Sequence, residues 1–252
     1  MSLPLPRYVE VLGAPGVGKT TILHACAGAR RPDGPWALDP EYASGGPWDG
    51  VRGLKPRGRF VRDHPEFAAF LFRALGRAAL DRDEPAAARM FERTQALNHV
   101  FAKFEHAAER LRPDQVLIVD EAFVKAGAPP LLNHRHSGET LRETLQRPEM
   151  GAAYVHVDAE ADLIQPRIVE RSKRARSHRG LSEQQVVERT RRSLDSWRRA
   201  VERIRRAEVP TLVLDAAEPA EANAEALRRF VEGFAPSQDD TADAGSGTAP
   251  EG

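Results

Sequence analysis

Gly13-Ala14-Pro15-Gly16-Val17-Gly18-Lys19-Thr20 joins two apolar runs near the start of the chain. The spacing is G-x-x-x-x-G-K-[ST], the pattern of a loop that wraps polyphosphate. Glycines accept positive φ, which lets successive N–H groups turn toward one anion. Gly13, Ala14, Pro15, Gly16, Val17 and Gly18 would supply that backbone. Lys19 can reach β- and γ-phosphates, and the Thr20 hydroxyl can sit on Mg²⁺, with Thr21 beside it. Arg7–Leu12 reads as a strand and Thr21–Ala27 as a helix, with Ile22 and Cys26 one turn apart. A helix start at this point aims its positive end at the phosphates. The spacing does not fit the dinucleotide pattern G-x-G-x-x-G. The plain alternative is a glycine turn between strand and helix that happens to contain a lysine.

Val116-Leu117-Ile118-Val119-Asp120-Glu121 is the second informative stretch. Four apolar residues, mostly β-branched, predict a strand buried on both faces of a parallel sheet. Its carboxylates emerge at the C-terminal end, where open α/β sheets bind ligands. Asp120 is a candidate Mg²⁺ ligand opposite Thr20, and Glu121 a candidate to orient water or accept a proton. The plain alternative for Asp120 is a helix cap after a buried strand.

Three further strands are expected at Trp36–Asp39, Ala152–Asp158 and Val209–Asp215. Residues 40–60 carry five glycines and three prolines and predict a long loop, where an acceptor could be held by residues such as Glu41. Asp63-His64-Pro65-Glu66 resembles a capping box before Phe67, Phe70, Leu71 and Leu75 at helical spacing. A second helix is expected from about Glu84 to Arg110 and a short one from Ser137 to Gln146. His134 and His136 have no clear companions as metal ligands. Pro166 lies in the helix after Asp158, where it needs the first turn or a kink. Ser182 caps a long helix with Val187, Thr190, Leu194, Trp197, Val201 and Ile204 on one stripe. A last helix carries Leu227, Phe230, Val231 and Phe234.

Arg171-Ser172-Lys173-Arg174-Ala175-Arg176-Ser177-His178-Arg179-Gly180 is strongly basic and sits between two helices. Arginine forks match phosphate oxygens, and mobile cations closing on a transferring phosphoryl group would neutralise its charge. The segment 171–181 is therefore read as a lid, with Arg171, Arg174 and Arg176 as its phosphate contacts. A solvated basic bend is the bland alternative. Nucleic acid is disfavoured, because aromatic interleaving is absent.

Length and composition frame these readings. The 252 residues suit one α/β domain over 1–235, followed by an acidic tail over 236–252 expected to be disordered. The formal net charge is zero, so bulk charge selects no partner. The single Cys26 forms no intramolecular disulfide and is compatible with a reducing cytoplasm. No run reaches the length of a membrane span. A homodimer stays open.

Taken in order, the glycine loop, the Asp-ended strand, the passage Val157-Asp158 to Arg174 and the run Leu212-Val213-Leu214-Asp215-Ala216 resemble the P-loop small-molecule kinases. The likeness is to the thymidylate kinase-like and broader nucleoside monophosphate kinase group. It implies a three-layer sandwich with a five-stranded parallel sheet flanked by helices, ATP and Mg²⁺ as cofactors, and γ-phosphoryl transfer. It also implies adenine contacts after the last strand. Asp-Arg-Tyr and Asp-Arg-Trp, the acceptor signatures of thymidylate kinases, do not occur in the chain, so the acceptor is open. The rival expectation is an NTP hydrolase or switch in which Glu121 activates water.

Overall fold

The computed structural model describes residues 5–29, 33–39, 55–80, 86–120, 122–124, 138–147, 149–172 and 181–235. Within these, the side chains of 55–57, 74–80, 86–93, 138–141 and 171–172 are not described. The expected acidic tail, His134 and His136 lie outside the described residues.

Five strands form one parallel sheet: β1 Tyr8–Leu12, β2 Trp36–Leu38, β3 Val116–Asp120, β4 Ala153–Asp158 and β5 Thr211–Asp215. Their order is β2-β3-β1-β4-β5, with every described pairing parallel. The helices are α1 Lys19–Gly28, α2 Lys55–Asp63, α3 Pro65–Leu80, α4 Ala86–Ala108, α5 Gly138–Leu145, α6 Ala161–Ser172, α7 Glu183–Arg206 and α8 Ala220–Glu232. The expected α/β architecture, with a five-stranded parallel sheet flanked by helices, is what the chain adopts.

β1 is the centre of the sheet, and all five of its residues are buried. From β1 the chain builds β2 and β3 on one side, then crosses to β4 and β5 on the other. The reversal leaves a crevice at the C-terminal end of β1, between β3 and β4.

Alternation along the strands divides the core into two clusters. Tyr8, Leu12, Leu117, Val119 and Tyr154 pack with Phe60 of α2, Phe67 and Leu71 of α3, and Phe101 and Phe104 of α4. Val9, Val11, Ile118, Val155 and Val157 pack on the other face with Ile22 and Leu23 of α1, Ile164 and Ile168 of α6, and Leu227 of α8. Trp197 of α7 touches both clusters.

Two expectations change. Residues 55–60 are helical, as the first part of α2, and not loop. Gly58 is exposed there with nothing within 4 Å of an added Cβ, so it is a tolerated helical glycine on an outer face. The buried Phe60 ring, stacked on Phe101 at 4.3 Å, gives α2 a docking residue that outweighs weak local propensity. In α7 the buried position is Val186, and Val187 is half-buried, so the apolar stripe begins one residue earlier than expected. The Ser182 cap is present as a full capping box with Gln185. Pro166 lies in the interior of α6, beyond its first turn. Among the described residues, no helix is long and apolar enough to cross a membrane.

Phe123 is the hub of the aromatic core. Its ring centroid lies 4.8–6.2 Å from those of Tyr8, Phe60, Phe67, Phe101 and Phe104. Phe123→Ala should lower the unfolding free energy by about 3–5 kcal/mol in urea titration. Val213→Ala, at a position 40% exposed, should change it by less than about 0.5 kcal/mol.

Candidate functional site

The turn after β1 fills the crevice at the sheet reversal. Gly13 has φ 149° and Gly16 φ 88°. A Cβ on Gly13 would lie 2.7 Å from the Val157 carbonyl oxygen, and one on Gly16 would lie 2.6 Å from Ile168 Cγ1. Glycine is required at both positions by backbone angle and by lack of room. Gly18, at φ 98° and ψ 11°, is the N-cap of α1. That glycine has no side chain to cap the helix, and the first turn holds no acidic residue. A helix start with no acidic residue in its first turn is electropositive.

Lys19 is buried, and its Nζ donates to the Gly13 carbonyl at 3.0 Å and lies 3.5 Å from that of Ala14. The ammonium is thus held at the turn itself. Thr20 and Thr21 are exposed on the first turn of α1, as is Pro15 in the loop. Ala14 and Val17 are buried, and their side chains belong to the core.

Asp120 closes β3, where its register partner in β1 is Val11, two residues before Gly13. By alternation from Val116 and Ile118 it faces the α1 side of the sheet. The structure therefore gathers Lys19, Thr20 and Asp120 around one end of the central strands. Glu121, Lys173, Arg174, Arg176 and Glu41 lie outside the described residues. Arg171 falls in the last turn of α6, but its side chain is not described.

Three site features escaped the sequence reading. Arg167 of α6 brings Nη1 to 4.0 Å from a Cβ built on Gly18, so an exposed guanidinium borders the turn. The signal was Ile168, whose place on the apolar face sets Arg167 beside it. Glu10 is fully buried in β1 and accepts N–H bonds from Ala122 at 2.9 Å and Val124 at 3.0 Å. Lys103 of α4 is buried and donates to Asp39 Oδ2 at 2.6 Å and to the Asp120 carbonyl at 3.1 Å. A charge inside an otherwise apolar strand was the readable sign for Glu10, since a buried charge must be paired or hydrogen-bonded.

The other side of the crevice is polar too. His156 pairs in register with Leu12 and is 3% exposed. Burial, aided by Arg198, Lys19 and Arg205 and opposed by Asp158, pushes its imidazole down to about 4. Arg198 of α7 donates from Nε to both Asp158 oxygens, at 2.9 and 3.0 Å, and from Nη2 to the Ala159 carbonyl. It ties α7 to the end of β4. Of the other α7 arginines, Arg192 and Arg206 pair with Glu188 and Glu202 on their own helix, and Arg191 pairs with Asp162. After β5, Asn223 Nδ2 donates to the Asp215 carbonyl at 2.7 Å and shapes the turn that follows.

Gly13→Ala and Gly16→Ala should each destabilise the protein by at least about 1–2 kcal/mol, because an L side chain resists left-handed backbone. Thermal denaturation reads this directly. A pH effect follows from His156. Its folded pKa lies below the unfolded value near 6.5, so the unfolded chain binds the proton first as pH falls. The stabilising effect of a neutral His156 is full above about pH 6.5 and is lost progressively toward pH 4, by about 3 kcal/mol in total. Urea titrations from pH 4 to 8 should show this slope, and it should flatten in His156→Leu.

In comparisons with known proteins, no family model and no curated relative matches the chain.

Proposed function

We propose that the chain is an ATP-dependent phosphotransferase that moves the γ-phosphoryl group to a nucleotide or other small-molecule acceptor. The observation that carries this reading is the left-handed glycine turn at the sheet reversal, followed directly by Lys19 and a helix start with no acidic residue in its first turn. Together they form an anion cradle of backbone amides with a cation at its edge. The five-stranded sheet is consistent with a P-loop kinase fold.

In this reading the amides of 16–20 hold the β- and γ-phosphates and Lys19 neutralises their charge. Arg167 borders the same turn and adds a second cation, and Arg171, Arg174 and Arg176 close on the transferring group as a lid. Hard oxygen donors suit Mg²⁺, and the Thr20 hydroxyl with the Asp120 carboxylate is such a donor set. Bound there, Mg²⁺ would supply positive charge that offsets the negative charge of the transition state. Glu121, or a carboxylate after β2 such as Glu41, orients the acceptor or takes its proton. The proposed setting is the cytoplasm.

The experiment is transfer of label from γ-labelled ATP to a panel of nucleosides, nucleoside monophosphates and sugars. Label should move to one acceptor class, and Lys19→Ala should lower kcat by about 10²–10³-fold. Label recovered only as inorganic phosphate would favour the hydrolase reading. Normal transfer by Lys19→Ala would remove the proposed active centre.

A further inference from the structure

The stretch that ends β3 is gripped by two buried charges from different elements. On one side, the Lys103 ammonium reaches from α4 to the Asp120 carbonyl at 3.1 Å while paired with Asp39 Oδ2 at 2.6 Å. On the other, the Glu10 carboxylate reaches from β1 to the Ala122 and Val124 amides, one oxygen to each. Glu10 is 0%, Asp39 1% and Lys103 3% exposed. Apolar residues in such places are often as stabilising or more so, because desolvating an ion costs several kcal/mol. A charge retained there therefore calls for a geometric reason.

Geometry supplies one. A carboxylate using both oxygens on two nearby amides fixes the direction in which the chain leaves the sheet. An ammonium on the Asp120 carbonyl fixes the peptide that carries that residue, and through Asp39 it sets the end of β2 against the end of β3. The Asp120 side chain then projects from a backbone pinned at its own carbonyl and again at the Ala122 and Val124 amides. The burial of Glu10 is also felt by its register neighbour, Tyr154, whose phenol is held well above its ordinary range by burial first and by the Glu10 charge next.

We propose that Glu10 and Lys103 are positioning residues that clamp the Asp120 segment and so hold its carboxylate in place for a divalent cation. This rests on the reading of Asp120 as the Mg²⁺ ligand of a nucleotide site. Neither residue touches the metal; both act on the backbone that presents the ligand. Groups that orient metal ligands typically alter metal affinity or activity by about 10–100-fold when removed.

The test uses the full chain and a fluorescent ATP analogue, titrated in EDTA and then against Mg²⁺, with circular dichroism to establish folding. Glu10→Gln replaces one acceptor oxygen by a donor, and Lys103→Met removes the ammonium while keeping much of the volume. Both variants should bind the analogue in EDTA within about twofold of the parent. Both should need about 10-fold or more Mg²⁺ for half-saturation. Lys103→Arg, which keeps the charge, should recover part of the loss. If one variant does not fold, the other carries the test. Parental Mg²⁺ dependence in a folded variant overturns the proposal. So does unfolding of both, since the clamp is then a folding element only. A parent protein whose nucleotide affinity ignores Mg²⁺ overturns the underlying reading of the site. A responsive parent with equally responsive variants overturns the clamp alone.

Discussion

The Val157 carbonyl leaves no room for a side chain at Gly13, and most of the site follows from that close approach. β1 and β4 are register partners up to Leu12 and His156, so the chain must turn immediately beyond the pairing. A glycine there lets the backbone bend away over the sheet end, and Ile168 of α6 lies against Gly16. The turn is therefore a tightly bounded backbone loop, packed from beneath by β4 and α6.

Charge is arranged around this loop in two tiers. Lys19, Arg167 and the start of α1 make the mouth positive. Beneath it, buried polar groups lie in the core of the sheet: Glu10, His156, Lys103 and Asp39. Glu10 is held by backbone amides, and Lys103 and Asp39 by one another. Arg198 fastens the end of β4 to α7 through Asp158. Each of these contacts fixes a strand end, and the strand ends carry the residues that would meet a ligand.

Much of this was legible in the sequence, for identifiable reasons. Val116–Val119 is apolar throughout because β3 is covered on both faces, and such runs read clearly. The glycine spacing at 13–18 reports a backbone demand that only glycine meets. α2 was missed because Gly53, Pro56 and Gly58 are local breaker signals, whereas the burial of Phe60 is a tertiary effect. Val186 and Val187 are equivalent in composition, and only the docking angle of α7 selects between them. Glu10, Asp39 and Lys103 were passed over because charged residues default to the surface, and their partners lie 112, 64 and 17 residues away along the chain. Arg167 had no motif of its own. Its position follows from how α6 lies against the turn.

The account stands or falls on where a triphosphate binds. A crystal structure with a non-hydrolysable ATP analogue and Mg²⁺ measures this most directly. The β- and γ-phosphates should lie on the amides of 16–20, with Lys19 in contact and the cation between Thr20 and Asp120. Phosphates bound away from the Gly13–Gly18 turn, or a cation held without Asp120, would contradict it.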